Sequence, residues 1–252
     1  MSSASAQDQG RVSAYSEDQF ADNYPPGMEH HWWIRSRNQI LARALAGLEG
    51  ETILDVGCGR GLTVAFLRAK GFDCWGCELG RPAVLNGLED FVTIGIDARQ
   101  LDRHLRDRVG AILLLDVMEH LADPRTFLLE LLPSFPNLRN VVVTVPARRE
   151  LWSVWDERYG HYRRYDRRSL DATLTEAGLA VQRISYFFRS LYPVMLVAAK
   201  LGRRASKVNA PRPVWLHRLA AHWFALEAEL PWSASLVGTS LLAFCEVTPG
   251  AT

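Results

Sequence analysis

The stretch ILDVGCGRG, residues 53–61, joins a short apolar run to three glycines within five positions. The apolar run is typical of a buried strand, and the glycines predict a tight loop where that strand ends. Glycine-rich loops at such places often hold phosphate groups against the first turn of a helix. Whether this loop does so depends on the residues around its glycines and on the fold that surrounds it.

Strand and helix patterns alternate along the chain on both sides of this loop. The alternation predicts an α/β fold with a doubly wound, mostly parallel sheet of seven strands, Rossmann-like in architecture, with helices on both faces. Ligands of such sheets bind outside the carboxyl ends of the strands. The apolar runs that predict the first six strands are 52–56, 72–78, 92–97, 109–116, 140–146 and about 179–188.

Capping signals mark where several helices begin. A helix is expected from His30 onwards, and Pro82 is placed to open a short helix because proline is favoured in the first helical turn. Asp123, followed by Pro124, and Asp166 carry side chains that commonly cap a helix N-terminus. These signals predict one helix before the sheet and three helices that connect its strands.

A seventh strand, 238–247, completes the predicted sheet and runs antiparallel to its neighbours. Roughly 50 residues separate it from the sixth strand, far more than a hairpin loop requires. Because the sixth strand is parallel to the others, this insertion emerges at their carboxyl ends, beside the ligand. We therefore expect three parts: a flexible segment, 1–27; a core, 28–189 and 238–249; and a helical insertion, 190–237.

The overall composition excludes several classes of protein. With 252 residues, 48% of them hydrophobic and 23% charged, the chain can bury one sizeable core. A net charge of +1 gives no general attraction to nucleic acid, and four cysteines are too few for a disulfide scaffold. The N-terminus lacks the apolar run of a signal peptide, and no stretch reaches the ~18 apolar residues of a membrane span. A cytoplasmic location without a nucleic-acid partner is expected.

Two phosphate-binding interpretations of the glycine loop fail on its sequence. A Walker loop requires Lys-Ser or Lys-Thr after the glycines, and neither follows here. A dinucleotide fingerprint requires glycine or alanine at the position of Leu62, counted from Gly57 and Gly59. Asp55, at the end of the strand, would repel a pyrophosphate but attract a cationic ligand.

Acidic residues end three successive predicted strands. Asp55 ends the first strand, Glu78 the second and Asp97 the third. An acid after the second strand is commonly placed to accept from ribose hydroxyls, and Asp97 could accept from an exocyclic amine. Such a set suits an adenosine that carries positive charge and no phosphate, which describes S-adenosylmethionine.

These motifs resemble those of class I S-adenosylmethionine-dependent methyltransferases over about residues 30–188. They comprise ILDVGCGRG, the acid of GCEL, the IDA step and LLLDVMEHLADP. The resemblance implies that the glycine loop passes under the methionine part of the cofactor, with Cys58 contributing only its backbone N–H. It also implies Glu78 at the ribose, Asp97 with Ala98 at the adenine, and Asp116 beside the sulfonium. The implied cofactor contacts are Asp55, Gly57, Cys58, Gly59, Gly61, Glu78, Leu79, Asp97, Ala98, Asp116 and Val117.

The segments HHWWIRSR, 30–37, and GHYRRY, 160–165, resemble a bacterial branch near the ubiquinone-type O-methyltransferases and methyltransferase types 11 and 23. This resemblance implies methylation of an oxygen on a small molecule, a sugar or a lipid-linked precursor. A nitrogen or carbon acceptor is an alternative within the same fold. A nicotinamide-dependent oxidoreductase and a non-catalytic cofactor-binding scaffold at a membrane are alternatives of other classes.

Two histidines are candidate catalytic residues. His120 follows the fourth strand and His161 lies between the fifth strand and its helix, both at the ligand edge of the sheet. A hydroxyl that accepts a methyl group benefits from a base that titrates near neutral pH. The alternatives are that His120 faces solvent and that His161 only holds its loop. Candidate substrate-binding residues around them are Tyr159, Arg163, Arg164 and Tyr165.

Arg35 is the candidate for a contact with the carboxylate at the methionine end of the cofactor, although its helix could serve only to pack aromatic residues onto the sheet. Cys74 and Cys77 are three residues apart in a predicted strand, so their side chains face opposite sides of the sheet. With no second cysteine pair to complete four ligands, we predict buried thiols and no metal site.

The insertion has an excess of basic residues and an apolar pattern with helical spacing. Between Glu176 and Glu227 there is no acid, whereas eight residues are basic. One interpretation is a helical cap over the substrate pocket. The other is an element within 190–230 that rests on anionic lipid at the inner membrane or binds a lipid-linked acceptor. The residues that predict an amphipathic helix are Leu216, Leu219, Trp223, Leu226 and Leu230, with Trp215 beside them.

Overall fold

The computed structural model describes residue 25 and residues 27–201, 212–230 and 235–248, so most of the predicted flexible segment 1–27 lies outside the described residues. The strands are β1 (Thr52–Val56), β2 (Asp73–Glu78), β3 (Val92–Ile94), β4 (Val109–Leu115), β5 (Asn140–Pro146), β6 (Leu179–Phe187) and β7 (Ser240–Val247). The α-helices are α1 (Trp32–Ala44), α2 (Leu62–Arg68), α3 (Arg103–Arg108), α4 (Pro124–Leu131), α5 (Val154–Arg158), α6 (Arg167–Glu176), α7 (Leu191–Lys200) and α8 (Val214–Glu227).

The seven strands form one sheet in the order β3-β2-β1-β4-β5-β7-β6. Strand β7 is antiparallel to both β5 and β6, and the other pairings are parallel. This confirms the predicted doubly wound, mostly parallel sheet with an antiparallel last strand. It also confirms that β6 runs in the common direction, so that the insertion leaves the sheet at the carboxyl ends of the strands.

The strand order reverses between β1 and β4, because β2 and β3 lie on one side of β1 and β4 and β5 on the other. In the register of the sheet, Asp55 of β1 lies between Gly76 of β2 and Leu113 of β4. Loops that follow strands on either side of such a reversal diverge and leave a crevice. The glycine loop after β1 and the loop after β4 border this crevice.

Both faces of the sheet are covered, as the continuous apolar strands β4 and β5 require. Cys74 packs in the hydrophobic cluster on one face and Cys77 in the cluster on the other. The two thiols therefore point to opposite sides, and burial raises the pKa of both. The predicted caps are also confirmed, since Asp123 accepts from Thr126 N–H and Asp166 from Ser169 N–H.

The helix predicted after Pro82 is wrong, because residues 79–91 form no helix. The segment instead packs against the glycine loop: a Cβ on Gly61 would lie 2.9 Å from Leu88. A helix of only a few residues is unstable by itself. Here the burial of Leu88 against the glycine loop stabilises a non-helical backbone instead. Strand β3 also ends earlier than predicted, at Ile94, since Gly95 turns the chain with a φ of 70°.

The insertion contributes α7 and α8, and the latter packs along α1. The ring of Phe224 on α8 lies 4.9 Å from Trp32, and Arg43 of α1 donates to the Ala225 carbonyl over 2.6 Å. Glu227, at the end of α8, accepts from the backbone N–H groups of residues 189 and 190 at the start of α7. Among the described residues, no helix has the length and hydropathy needed to cross a membrane.

Candidate active site

A cavity of about 450 Å³ opens at the carboxyl ends of the central strands. Its walls come from the glycine loop, the loops after β4 and β5, the N-terminal helix α1 and the first helix of the insertion. The residues that line it include Trp33, Arg37, Gly57, Gly59, Glu78, Asp116, Glu119, His120, Trp155, Asp156, Tyr159, His161, Arg164, Leu191 and Met195.

The glycine loop adopts backbone conformations that only glycine takes without strain. Gly57, Gly59 and Gly61 have φ values of 78°, 55° and 87°, all in the left-handed region. A Cβ on Gly57 would lie 2.8 Å from the Val117 side chain. The backbone N–H of Cys58, predicted as a cofactor contact, is instead used by the Cys77 carbonyl at 3.1 Å.

Glu78 links the end of β2 to this loop. Its Oε2 accepts from Gly59 N–H over 2.9 Å and its Oε1 accepts from Gly80 N–H over 2.8 Å. A carboxylate has about four lone-pair sites, so it can accept from ligand hydroxyls as well. The position of Glu78 in the cavity wall is compatible with the predicted ribose contact.

Asp55 lies beneath the loop, 2% exposed, and its Oδ1 has no hydrogen-bond partner among the described residues. Burial raises the pKa of Asp55 to about 7; Arg37 opposes this rise, while Glu78 and Asp116 add to it. A buried carboxyl that ionises near neutral pH is stabilised as the anion by a nearby cation. The buried carboxyl of Asp55, at the end of β1 below the glycine loop, therefore favours a positively charged ligand nearby.

Of Arg35 and Arg37 on α1, it is Arg37, and not the predicted Arg35, that lines this cavity. Its Nη1 donates to Oδ2 of Asp116 over 2.6 Å, and its guanidinium lies 4.7 Å from the ring centroid of Trp33. Arg35 faces a different cavity beside α2, because residues two apart on a helix point in widely different directions. The available signal was the spacing of four from Trp33 to Arg37, which places both on one helical face.

The predicted adenine contacts lie outside the residues that line the cavity. Asp97 caps a short helix by accepting from Arg99 N–H, and it also pairs with the Arg99 side chain at 2.6 Å. The hydrogen bond from Arg99 lowers the pKa of Asp97. Ala98 is buried, and Leu79 is on the surface. The contact of Asp97 and Ala98 with an adenine, and of Leu79 with the cofactor, stays a prediction.

His120 and His161 meet at the other end of the cavity, with ring centroids 4.6 Å apart and planes at 78°. Burial, together with His161, lowers the pKa of His120 to about 4, so that this imidazole is neutral at physiological pH. The Nδ1 of His161 lies 2.9 Å from Oδ1 of Asp156. A carboxylate only accepts, so Nδ1 carries the proton and donates it.

Asp156 is a residue of the site that the sequence analysis missed. It is 1% exposed and also accepts from Arg164, whose Nε and Nη2 lie 2.7 and 3.0 Å from its oxygens. Burial would raise the pKa of Asp156, but the hydrogen bonds from His161 and Arg164 outweigh burial and hold it well below its usual range. The available signal was the capping pattern Ser153-x-x-Asp156 five residues before His161.

Two predicted substrate contacts, Arg163 and Tyr165, are not among the residues that line the cavity. Tyr165 is 2% exposed in the hydrophobic core, and its hydroxyl donates to the Met118 carbonyl. Arg163 donates to the carbonyls of residues 121 and 122 and so ties two loops together. Of the other two candidates, Tyr159 and Arg164 do line the cavity. Alternation along an extended segment explains why Tyr165 turns into the core while Arg164 faces the cavity.

A family model described as a methyltransferase domain, of type 23, matches residues 30–184. The sheet order, the glycine loop and the acidic strand ends define the class I S-adenosylmethionine-dependent methyltransferases, whose cofactor is S-adenosylmethionine. The match covers more than half of the chain, and the chain belongs to this methyltransferase-domain family.

Individual relatives agree with this membership. The ubiquinone biosynthesis O-methyltransferase of Alkalilimnicola ehrlichii is 34% identical over 95 residues, 35% of this chain and 38% of the relative. That of Pseudomonas paraeruginosa is 30% identical over 117 residues, 38% of this chain and 50% of the relative. These matches thus span half or less of the curated relatives. A crystal structure of a SAM-dependent methyltransferase from Archaeoglobus fulgidus shares the fold, with a TM-score of 0.54 at 18% identity over 90% of this chain and 97% of that one.

Proposed function

We propose that this protein transfers a methyl group from S-adenosylmethionine to an oxygen of a small-molecule, sugar or lipid-linked acceptor. The observation that carries the proposal is a single cavity with an acid-rich glycine loop at one end and an imidazole held by Asp156 at the other. The sequence similarity to two ubiquinone biosynthesis O-methyltransferases supports oxygen as the acceptor atom.

The residues of the glycine-loop end fit a sulfonium nucleoside. The unpartnered Oδ1 of buried Asp55 and the carboxylate of Asp116 supply negative charge, and Gly57 and Gly59 present no side chain to the cavity that they line. Arg37, and not the Arg35 predicted from the sequence, would hold the carboxylate at the methionine end of the cofactor. When bound, S-adenosylmethionine supplies a methyl group on a positively charged sulfur.

The residues of the other end would prepare the acceptor. Asp156 stays ionised and holds His161 through Nδ1, so Nε2 is the nitrogen available to take a proton from a hydroxyl. The ionised Asp156 would also stabilise the imidazolium that forms. Trp155 and Tyr159 stack on each other with centroids 5.4 Å apart, which gives this end a flat apolar wall suited to a ring-shaped acceptor.

The test is a pair of binding measurements followed by product analysis. Calorimetry should show binding of S-adenosylmethionine, and Asp55→Asn should weaken it more than it weakens S-adenosylhomocysteine, which lacks the positive charge. Incubation with labelled S-adenosylmethionine and cell extract should then yield a product whose label is lost on ether cleavage. A product labelled on nitrogen or carbon, or binding of NAD in place of the sulfonium compound, would refute the proposal.

We further propose that the insertion contacts a membrane surface. The apolar stripe of α8 predicted from the sequence faces away from the protein, because Ala221 and Ala225 form the buried face of that helix. Helix α7 also exposes apolar side chains. The exposed apolar residues of the two helices, called here the insertion surface, are Val194, Val197, Leu201, Trp215, Leu216, Leu219, Trp223 and Leu226.

Charge and position both support a lipid contact. The insertion surface is accompanied by Lys200, Arg212 and Arg218, and the sequence between α7 and α8 carries three further basic residues. Basic and aromatic helices of this kind bind anionic interfaces. Leu191 and Met195 of α7 line the cavity, so a lipid-linked acceptor on the membrane would lie next to it.

Sedimentation with vesicles tests this contact. Wild-type protein should sediment with vesicles that contain phosphatidylglycerol and much less with neutral phosphatidylcholine vesicles. Leu219→Glu should reduce sedimentation, whereas Leu129→Glu, a change of an exposed leucine on α4, should not. Equal sedimentation of both variants and wild type would contradict the contact.

A further inference from the structure

Three side chains at the acceptor end of the cavity form a cluster of potential metal ligands. Glu119, His120 and His161 each offer one ligand atom, and these atoms all lie within 4.8 Å of one another. Glu119 and His120 belong to the short 3-10 helix Met118–His120 after β4, and His161 lies on the loop after α5. All three residues line the cavity.

Both imidazoles of the cluster are fixed through one ring nitrogen. Nδ1 of His161 donates to Asp156, which is itself held by Arg164. The ring of His120 is hydrogen-bonded to the Tyr159 backbone. Metal-ligating histidines are typically held in this way, because a hydrogen bond at one nitrogen fixes the ring and directs the other nitrogen to the metal.

The buried carboxyl group of Glu119 has an oxygen without a hydrogen-bond partner. Glu119 is 1% exposed, and its Oε2 has no hydrogen-bond partner among the described residues. Its backbone is locked in place, since its carbonyl accepts from Tyr162 N–H over 2.7 Å. A buried oxygen without a partner is costly, roughly 1–3 kcal/mol, and a bound cation removes that cost. This unpartnered oxygen is an observation independent of the spacing of the cluster.

We propose that Glu119, His120 and His161 bind one divalent transition-metal ion whose remaining coordination positions face the cavity. Two imidazoles and one carboxylate form a donor set that favours zinc and its first-row neighbours over magnesium or calcium. Three protein ligands leave a position open for a reacting oxygen, as in catalytic zinc sites. Ligands of a tetrahedral zinc lie about 3.3 Å apart, so binding draws these side chains together by up to roughly 1.5 Å.

The ion gives the acceptor end a second way to activate a hydroxyl, and this part of the inference rests on the proposed O-methylation. A hydroxyl coordinated to the ion has a lowered pKa and releases its proton to water. Its oxygen then forms the bond to the methyl carbon, while the electron pair of the carbon–sulfur bond stays on sulfur and leaves a neutral thioether. In the metal-loaded protein His120 and His161 are ligands, and His161 does not act as the base.

Metal binding is tested without cofactor or acceptor. Protein stripped with a chelator and dialysed is titrated with Zn²⁺ by calorimetry and with Co²⁺ by visible spectroscopy. We expect one equivalent to bind, with cobalt bands of a four- or five-coordinate site. Glu119→Gln and His161→Asn should each lower the affinity at least tenfold, the scale seen when even a residue that only supports a ligand is lost. His104→Ala, at an exposed histidine, should leave it unchanged.

Retention of S-adenosylmethionine affinity and of the circular dichroism spectrum shows that the variants fold. Absence of a stoichiometric site, or equal metal affinity in the two ligand variants and wild type, overturns the proposed site. Metal binding with turnover that a chelator does not lower overturns its role in activation. If the metal binds as expected but no acceptor oxygen is methylated, the proposed reaction fails while the metal site stands.

Discussion

Arg37 of α1 donates from Nη1 to Oδ2 of Asp116 over 2.6 Å and so joins the N-terminal helix to the end of β4. A second nitrogen of Arg37, Nη2, donates to the Thr63 hydroxyl over 3.0 Å. Asp116 has a φ of 58°, which a residue with a side chain rarely adopts. The ion pair thus holds a strained backbone in place at the cavity wall, and α1 contributes a side chain to the site.

Arg37→Met should lower the affinity for S-adenosylmethionine by at least about tenfold, because it removes the arginine that pairs with Asp116 in the cavity wall and leaves Asp116 unpaired. Breaking a buried ion pair from one side costs roughly 3–5 kcal/mol, so the free energy of unfolding should fall as well. Calorimetry and urea unfolding measure the two effects. Arg35→Met is the matched control, and a comparable loss of affinity in it would contradict the assignment to Arg37.

Asp55 should make the stability of the cofactor-free protein depend on pH. Its pKa, about 7 in the folded state, lies above its ordinary value near 4, so the folded state binds this proton more tightly than the unfolded state. The resulting stabilisation is complete below pH ~4 and is lost as the pH rises through about 7. At pH 8 the free energy of unfolding of Asp55→Asn, measured by urea unfolding, should therefore exceed that of wild type by roughly 2–4 kcal/mol. At pH 4 the two proteins should have similar free energies of unfolding. Asp90→Asn, on an exposed loop, should follow wild type at both pH values.

Gly57→Ala should destabilise the protein and abolish cofactor binding. The new Cβ would meet the Val117 side chain at 2.8 Å, and the φ of 78° adds strain of roughly 1–2 kcal/mol. Gly87→Ala is a matched control, because Gly87 has a similar φ of 82° but open space around it. If both variants lost the same stability and both bound the cofactor, close packing of the loop would not be the reason for glycine at position 57.

In chelator-treated, metal-free protein, where His161 acts as the base, His161→Ala should lower kcat by roughly 10²–10⁴, the usual contribution of an acid–base group, with the affinity for S-adenosylmethionine unchanged. The affinity for S-adenosylmethionine should stay unchanged because His161 lies at the acceptor end of the cavity, away from the glycine loop. Steady-state kinetics with the identified acceptor measure the change. His222→Ala, at an exposed histidine of α8, should keep full activity, and full activity of His161→Ala itself would leave only a loop-holding role.

Glu227→Leu should loosen the insertion without disturbing cofactor binding. Glu227 is 2% exposed and accepts from two backbone N–H groups at 2.6 and 2.7 Å, where the chain enters α7. Loss of these bonds should raise the KM for the acceptor and speed proteolysis between α7 and α8. Glu229→Gln removes only an exposed ion pair with Arg43, which contributes little, and should have neither effect. An unaltered KM in Glu227→Leu would argue against a cap over the pocket.

The sequence predicted the sheet and the glycine-loop end of the site because those features are local. Strand polarity follows from alternation of strands and helices, and the carboxyl ends of parallel strands meet at one edge. Asp55, Gly57 and Glu78 could therefore be placed from their positions at strand ends alone. The caps at Asp123 and Asp166 were equally local, each decided within four residues.

Features that depend on contacts between distant segments were not predictable in this way. The orientation of α1 relative to β4 determines that Arg37, and not Arg35, reaches Asp116. Tyr165 is buried because its side of the loop packs against the core. The failed helix after Pro82 has the same cause, because packing of Leu88 against the glycine loop decided the backbone there. In each case burial against a remote element outweighed the local preference.

The sequence by itself determined an acid-rich, glycine-lined loop region at the edge of a parallel sheet, since strand order along the chain and residue type at each strand end suffice for it. Only the tertiary structure decided which side chains face one another across the crevice. It brought Arg37 to Asp116, and Asp156 to His161 beside Glu119. It also turned the large apolar face of α8 outward, because Ala221 and Ala225, together with the ring of Phe224, form the face of that helix that packs inward.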